Sequence, residues 1–197
     1  MGLSGITWWT TDIGGFFGAN IYDEDYHEVF VRWFEYGTFC PVMRLHGYRI
    51  PYQPQYGTTG GAECVSGAPN EIWSYGDEVY EICKKYIEIR EAMRPYIRTL
   101  MEAAHEKGTP VMRPLFYDFP EDKVCWENET EYMFGPDVLV APVMERGQET
   151  KEVYLPTGAK WTNVWTKETF EGGQTVTVDT PLEQIPLFTR EGFTLEV

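Results

Sequence analysis

The stretch GITWWTTDIGGFFG, residues 5–18, decides how the front of this chain folds. An apolar run that contains two tryptophans ends in a single carboxylate, Asp12, and two glycines follow almost at once. This pattern is typical of a buried strand that breaks into a functional loop, because parallel strands of α/β proteins carry their site residues at their carboxyl ends. We therefore predict a buried parallel strand over residues 2–10 and a functional loop that begins at Asp12.

A helix and a second strand are predicted next. Residues 23–39 favour a helix, because large apolar residues recur at intervals of three and four and acidic residues occupy the first turn. Residues 40–49, CPVMRLHGYR, favour a short strand that ends in a polar cluster. Residues 50–70 are rich in glycine and proline and are predicted to form a long irregular loop, a kind of segment that is usually functional.

The next stretch predicts a long amphipathic helix over residues 74–108, with a kink near Pro95, which has no N–H to donate to the preceding turn. Residues 109–119 form another apolar run. The order strand, helix, strand, helix, strand is the rhythm of an α/β barrel. We expect the strands near residues 4–10 and 110–116 to be parallel, with a short strand near 41–45 between them.

From about Tyr132 the pattern changes to short β-rich runs separated by glycine, proline and acidic turns. The runs are DVLVAPV, KEVYLP, KWTNVW, QTVTV and IPLFTR. No helical period lies between them, which predicts an antiparallel sheet or sandwich.

Composition limits the possible partners. Lys and Arg number 16 against 31 Asp and Glu in 197 residues, and the formal net charge of −15 disfavours nucleic acid and an anionic membrane surface as partners. No apolar run approaches the roughly 20 residues of a membrane-spanning helix. The aromatic fraction of 16% suits a sugar ligand, because aromatic rings offer flat apolar faces.

The cysteines indicate neither a metal site nor a disulfide framework. They lie at Cys40, Cys64, Cys83 and Cys125, without any short paired spacing. We expect unpaired and mostly buried thiols.

Candidate site residues follow two of the predicted strands. Asp12 comes after the first, and Arg44 and His46 end the second. A carboxylate, a guanidinium and an imidazole at the same barrel face could donate to and accept from several sugar hydroxyls. Equally, Asp12 and Arg44 could form a buried salt bridge between neighbouring strands while His46 caps a carbonyl. Spacing alone leaves both interpretations open.

Three long motifs resemble glycoside hydrolase family 31, the α-glucosidases and α-xylosidases. They are WWTTDIGGF at residues 8–16, RWFEYGTFCPVMRLHGYR at 32–49 and EYMFGPDVLVAPV at 131–143. The resemblance implies that residues 1–131 are the C-terminal portion of a (β/α)8 TIM barrel, with Asp12 at the end of barrel strand seven. It also implies that residues 132–197 form an antiparallel β-sandwich domain.

The resemblance assigns roles to five residues of the site. His46 would hydrogen-bond hydroxyls of the sugar in the cleavage subsite, Phe16 and Trp9 would wall that subsite, and Asp12 and Arg44 would anchor its polar network. The expected substrate is an oligosaccharide or glycoside with a terminal α-xylosyl or α-glucosyl residue. No metal or organic cofactor is implied.

The family's two catalytic aspartates precede the Asp12 motif. We therefore expect this chain to be a C-terminal fragment that lacks catalytic residues, is itself inactive and has the missing N-terminal part of the same enzyme as its partner. Any targeting signal would lie in that part, so no compartment is predicted. An alternative is a non-catalytic carbohydrate-binding or interaction module that uses Trp161 and Trp165, which the spacing of four places on one strand face. Burial is the commoner fate of such a face.

Overall fold

The computed structural model describes residues 1–63 and 66–197. The helices in these ranges are α1 (Glu24–Thr38), α2 (Asp77–Ala92), α3 (Arg94–Lys107), α4 (Leu115–Asp118) and α5 (Lys123–Glu127). The strands are β1 (Phe17–Asn20), β2 (Tyr48–Gln53), β3 (Ser66–Ala68), β4 (Met112–Pro114), β5 (Tyr132–Phe134), β6 (Val138–Val140), β7 (Thr150–Leu155), β8 (Lys160–Asn163), β9 (Thr169–Glu171), β10 (Gln174–Asp179) and β11 (Leu187–Arg190).

The prediction of a regular strand over residues 2–10 was wrong. Gly2–Ser4 forms a turn of 3-10 helix, and the residues that follow are irregular. The amide of Val42 donates to the Trp9 carbonyl at 3.1 Å, and Ile13 forms an isolated parallel bridge with Leu45. A strand needs a continuous ladder of such bonds, and within the described residues this segment makes only scattered ones. The strand predicted over residues 41–45 is likewise only an isolated bridge, at Leu45. Residues 41–45 do run parallel to the segment around Ile13, as predicted.

A small three-stranded sheet lies beyond these segments, in the order β1-β2-β3. β1 and β2 are parallel, with Phe17 opposite Tyr48, and β2 and β3 are antiparallel. The prediction that residues 50–70 are irregular throughout was therefore wrong, because the end of β2 and all of β3 lie within them. The sequence of β2, YRIPYQ, alternates aromatic or apolar residues with polar ones in part, but the many glycines and prolines of residues 50–70 favoured the prediction of a loop.

Helix α1 confirms the helix predicted over residues 23–39. The Asp23 side chain caps it by accepting from the amide of Asp25 at 3.1 Å, and Phe30, Val31 and Phe34 are buried. The kink predicted near Pro95 is also confirmed, since the long helix is divided at Met93 into α2 and α3.

Strand β4 corrects the prediction of a parallel strand over residues 110–116. Only Met112–Pro114 is extended, and Met112 pairs with Phe134 of β5 in an antiparallel ladder. β4 thereby forms the edge of a six-stranded sheet in the order β4-β5-β6-β11-β8-β9. An apolar run carries no information on the direction of its neighbour, so the sequence alone did not reveal this pairing. The boundary between residues 131 and 132 stays a prediction.

The β-rich tail was predicted correctly. Each of the five runs contains a strand, namely β6, β7, β8, β10 and β11. The pair β10-β7 is antiparallel and packs against the six-stranded sheet through a shared apolar core. Fully buried residues of this core are Leu115, Cys125, Met133, Leu139, Ala141, Val153, Leu155, Trp161 and Phe188. A second core joins α1, α2 and α3 to the other side of the large sheet.

The thiols of Cys40, Cys83 and Cys125 are free and buried, as predicted, and burial raises the pKa of Cys40 to about 12. Cys64 lies outside the described residues. Across the described ranges, no helix has the length and apolar character needed to cross a membrane.

Candidate functional site

Asp12 and Arg44 meet directly. Arg44 Nη2 donates to Asp12 Oδ1, and the amide of Ile13 donates to the Arg44 carbonyl at 3.2 Å. The Arg44 side chain is 50% exposed and that of Asp12 is 21% exposed, so the ion pair lies at the surface. Exposed ion pairs contribute little to stability. The predicted salt bridge between Asp12 and Arg44 does form, but it is not buried. Both side chains are accessible to a ligand.

Phe16 and His46 form the second contact of the site. Their ring centroids are 5.8 Å apart with a tilt of 35°, and both side chains are exposed. The amide of Tyr48 donates to the Phe16 carbonyl at 2.9 Å, which holds the two segments side by side. The parallel approach of residues 12–16 to residues 44–48 thus accompanies both contacts. We call residues 12–16 the site loop.

Trp9 lines a cavity of about 800 Å3 beside α1, together with Val29, Trp33, Tyr36 and Met112. Among the described residues, the lining of this cavity includes none of the other four predicted site residues. The structure therefore pairs Asp12 with Arg44 and Phe16 with His46 along two adjacent segments, and places Trp9 in the lining of this cavity.

Sequence reasoning missed Arg49, whose side chain is fully buried directly behind the site loop. Its Nη1 donates to the Gly15 carbonyl at 2.9 Å, and its Nη2 donates to the Ile13 carbonyl at 3.2 Å. Its Nε donates to the hydroxyl of Tyr75 at 3.1 Å. An arginine two residues into a strand carries no distinctive sequence signal, and only its position between the loop and α1 makes it important.

Two tyrosines and an asparagine complete the support of the loop. The hydroxyl of Tyr26 donates to the Gly14 carbonyl at 2.7 Å. The hydroxyl of Tyr75 donates to Asn70, whose amide donates to the Gly47 carbonyl at 3.2 Å. Burial raises the pKa of both tyrosines, so these hydroxyls keep their protons and remain donors.

Glycine is required where the two segments touch. Gly47 has φ = 133°, and a Cβ at this position would lie 2.2 Å from the Gly15 carbonyl oxygen. Gly14 has φ = 80°, and a Cβ there would lie 2.5 Å from Arg49 Nη2. Real Cβ atoms do not approach other atoms so closely, so the site depends on direct backbone contact.

The tryptophan pair of the alternative module does not lie on one face. Trp161 is fully buried between the two sheets and donates to the Pro156 carbonyl at 3.0 Å. Trp165 lies beyond the end of β8, donates to the Ile185 carbonyl at 2.7 Å and packs under the Lys85 ammonium at 4.1 Å. The spacing of four was misleading because the strand ends at Asn163. The pair offers no common surface to a glycan.

Two family models match the chain. The model described as the glycosyl hydrolases family 31 TIM-barrel domain matches residues 1–100, and the model described as the family's C-terminal domain matches residues 108–195. Together they account for nearly the whole chain.

Curated relatives and solved structures agree with these models. The chain is 40% identical over 193 residues to an α-xylosidase of Saccharolobus solfataricus, covering 98% of this chain and 24% of that protein. It is 34% identical to α-glucosidase 2 of Bacillus thermoamyloliquefaciens, covering 98% of this chain and 22% of that protein.

A crystal structure of a family 31 α-xylosidase from a soil metagenome, complexed with xylose, superposes with a TM-score of 0.94 and 51% identity. That match covers 99% of this chain and 29% of the solved chain. The chain thus spans about a quarter of the length of its relatives, and includes the end of the TIM barrel and the sandwich domain that follows it. This chain belongs to glycosyl hydrolase family 31.

Proposed function

We propose that this chain forms the sugar-binding end of a retaining α-glycosidase that hydrolyses terminal α-xylosyl or α-glucosyl residues. The contact between Phe16 and His46, beside the ion pair of Asp12 and Arg44, carries this proposal. An apolar ring and several hydrogen-bonding groups at one surface suit a sugar, which has apolar faces and a rim of hydroxyls. The names of the relatives, α-xylosidase and α-glucosidase, support the same substrate class.

Each residue has a role in this proposal. The His46 imidazole hydrogen-bonds hydroxyls of the sugar, and Phe16 covers one face of the ring. Asp12 and Arg44 present an acceptor and donors to the remaining hydroxyls. Trp9 lines the cavity beside α1. The proposal that Trp9 forms a further wall of the sugar site therefore rests on the resemblance alone.

Asp12 is proposed as a binding residue and not as the nucleophile. Retaining glycosidases need two carboxyl groups about 5 Å apart, one to attack the anomeric carbon and one to protonate the leaving oxygen. Asp12 instead accepts a hydrogen bond from Arg44. We propose that the catalytic pair belongs to polypeptide that precedes Met1. The chain spans only 24% of the length of the Saccharolobus solfataricus α-xylosidase, which supports this proposal.

The test uses this chain joined to the preceding part of its barrel. We expect hydrolysis of aryl α-xylosides or α-glucosides with retention of the anomeric configuration, followed by NMR of the first product. A His46→Ala variant should lower kcat/KM about 100-fold or more, because hydrogen bonds to sugar hydroxyls strengthen as the ring distorts. His105→Ala, at an exposed position on α3, is the matched control. Equal activity of the two variants would contradict the role given to His46.

A further inference from the structure

Arg49 is a buried cation whose contacts are unusual. Its side chain has no exposed surface, and within the described residues no carboxylate lies close enough to form an ion pair with it. Its hydrogen bonds go to the carbonyls of Ile13, Gly15 and Tyr48 and to the Tyr75 hydroxyl. Burying a charge without a counterion is costly, so the carbonyl dipoles that it meets must supply the compensation.

Two of those carbonyls belong to the site loop. Ile13 and Gly15 flank Gly14, whose own carbonyl accepts from the Tyr26 hydroxyl at 2.7 Å. Three consecutive carbonyls of the loop are therefore turned inward and held by side chains. This arrangement leaves the neighbouring side chains, Asp12 and Phe16, directed towards Arg44 and His46.

We propose that Arg49 is a positioning residue that holds the site loop in register with the Arg44–His46 segment. The inference rests on the proposed function only for its effect on activity, because the effect on the loop can be measured without a sugar. Arg49 touches none of the side chains assigned to the sugar. It acts through the backbone of residues 13–15.

An arginine is suited to this task and a lysine is not. The planar guanidinium directs several donors in a fixed fork and can hold two carbonyls and a hydroxyl at the same time. A lysine ammonium has three donors around a single atom and cannot reach the Ile13 and Gly15 carbonyls while also contacting Tyr75. Substitution by lysine keeps the charge and removes the geometry.

Arg90 provides a matched comparison within the same chain. It is also a largely buried arginine that donates to backbone carbonyls, those of Thr38, Cys40 and Pro41 at the end of α1 and just beyond it. These carbonyls lie outside the site loop. Arg49→Lys and Arg90→Lys should both lower overall stability, but only Arg49→Lys should loosen the loop.

The first measurement is amide hydrogen exchange by NMR on the 197-residue chain. The Gly15 amide, which donates to the Asp12 carbonyl at 2.7 Å, reports on the loop. In Arg49→Lys we expect this amide to exchange about tenfold faster or more relative to the amides of β7, which carries neither substitution. In Arg90→Lys the ratio should stay as in the unsubstituted chain. If Arg49→Lys does not fold, Tyr75→Phe, which removes one partner of the guanidinium, should show the same effect at smaller size.

The second measurement is activity in the longer polypeptide. Arg49→Lys should raise KM several-fold and lower kcat, because Phe16 and Asp12 move relative to His46, whereas Arg90→Lys should leave both constants within twofold. Unchanged loop exchange in Arg49→Lys and Tyr75→Phe would overturn the positioning role. Faster loop exchange without any sugar hydrolysis by the unsubstituted protein would uphold it and contradict the proposed function instead.

Discussion

The hydroxyl of Tyr86 on α2 donates to the carboxylate of Glu35 on α1 at 2.9 Å, in the interior of the protein. The same hydroxyl accepts from the amide of Ile185, just before β11, at 2.9 Å. Arg32 Nη1 lies 3.2 Å from Glu35 Oε2, and Arg32 Nη2 donates to the carbonyl of Thr180, in the segment that precedes β11. One buried polar network therefore ties the helices that support the site to the sandwich domain.

Stability should depend on the protonation of Glu35. Burial raises the pKa of Glu35 from 4.5 to about 8, although Arg32 and the Tyr86 hydroxyl oppose the shift. The folded state holds this proton more tightly than the unfolded chain, so the contribution of Glu35 to stability falls as pH rises from 4.5 to about 8. The loss is on the order of 1 kcal/mol per pH unit within that window, and stability does not fall further on account of Glu35 above it.

Glu35→Gln removes this titration. Urea unfolding at pH 5 and pH 8 should show that the unsubstituted chain loses stability relative to the variant as pH rises. Glu24→Gln, at an exposed position in the first turn of α1, should follow the unsubstituted chain at both values. A Glu35→Gln variant whose pH dependence equals that of Glu24→Gln would contradict the raised pKa.

Arg32→Met should weaken the link between the helices and the sandwich. The guanidinium donates to the carbonyls of Thr180 at 2.6 Å, Pro181 at 3.1 Å and Gln184 at 3.3 Å. Methionine fills similar space but removes these three hydrogen bonds and the ion pair with the buried Glu35, so we expect a loss of about 3 kcal/mol in the free energy of unfolding. Arg98→Met, at an exposed position on α3, should change it by less than about 0.5 kcal/mol in the same urea titration.

Gly47→Ala should damage the site by forcing its two segments apart. Its Cβ would lie 2.2 Å from the Gly15 carbonyl oxygen, at a backbone φ of 133°. We expect a cost of about 2 kcal/mol or more, seen as a lower midpoint of thermal unfolding. Gly60→Ala also has a positive φ, 58°, but its Cβ would meet open space, so its cost should be only about 1 kcal/mol. Equal midpoints for the two variants would show that the contact is not tight.

The 197-residue chain should not hydrolyse aryl α-xylosides or α-glucosides by itself. If the catalytic pair lies in the preceding polypeptide, as we propose, the high barrier to glycosidic cleavage stays nearly intact in these 197 residues. The assay is release of the aryl group above a buffer blank, with the chain joined to its preceding barrel region as the positive control. Turnover by the 197-residue chain that Asp12→Asn abolishes would make Asp12 a catalytic residue.

Much of the fold was predictable because local patterns report on local structure. Three features show this: the periodic aromatic residues of α1, the proline near the boundary of α2 and α3, and the five β-rich runs. Each depends on residues that are close together in the sequence. Errors occurred where the structure depends on a neighbouring segment. Residues 2–10 have a strand-like sequence but no continuous ladder within the described chain, and β4 pairs antiparallel with β5.

The same division applies to the site. The sequence by itself determined the family, through three long motifs, and singled out Asp12, Arg44 and His46 as polar residues that follow predicted strands, while the resemblance added Phe16 and Trp9. It was silent on Arg49, because a buried arginine and a surface arginine look alike in a sequence. Only the tertiary structure decided that this cation lies behind the site loop and that two segments about 30 residues apart run side by side in parallel. Such contacts depend on the distances between backbone atoms, which a sequence pattern does not specify.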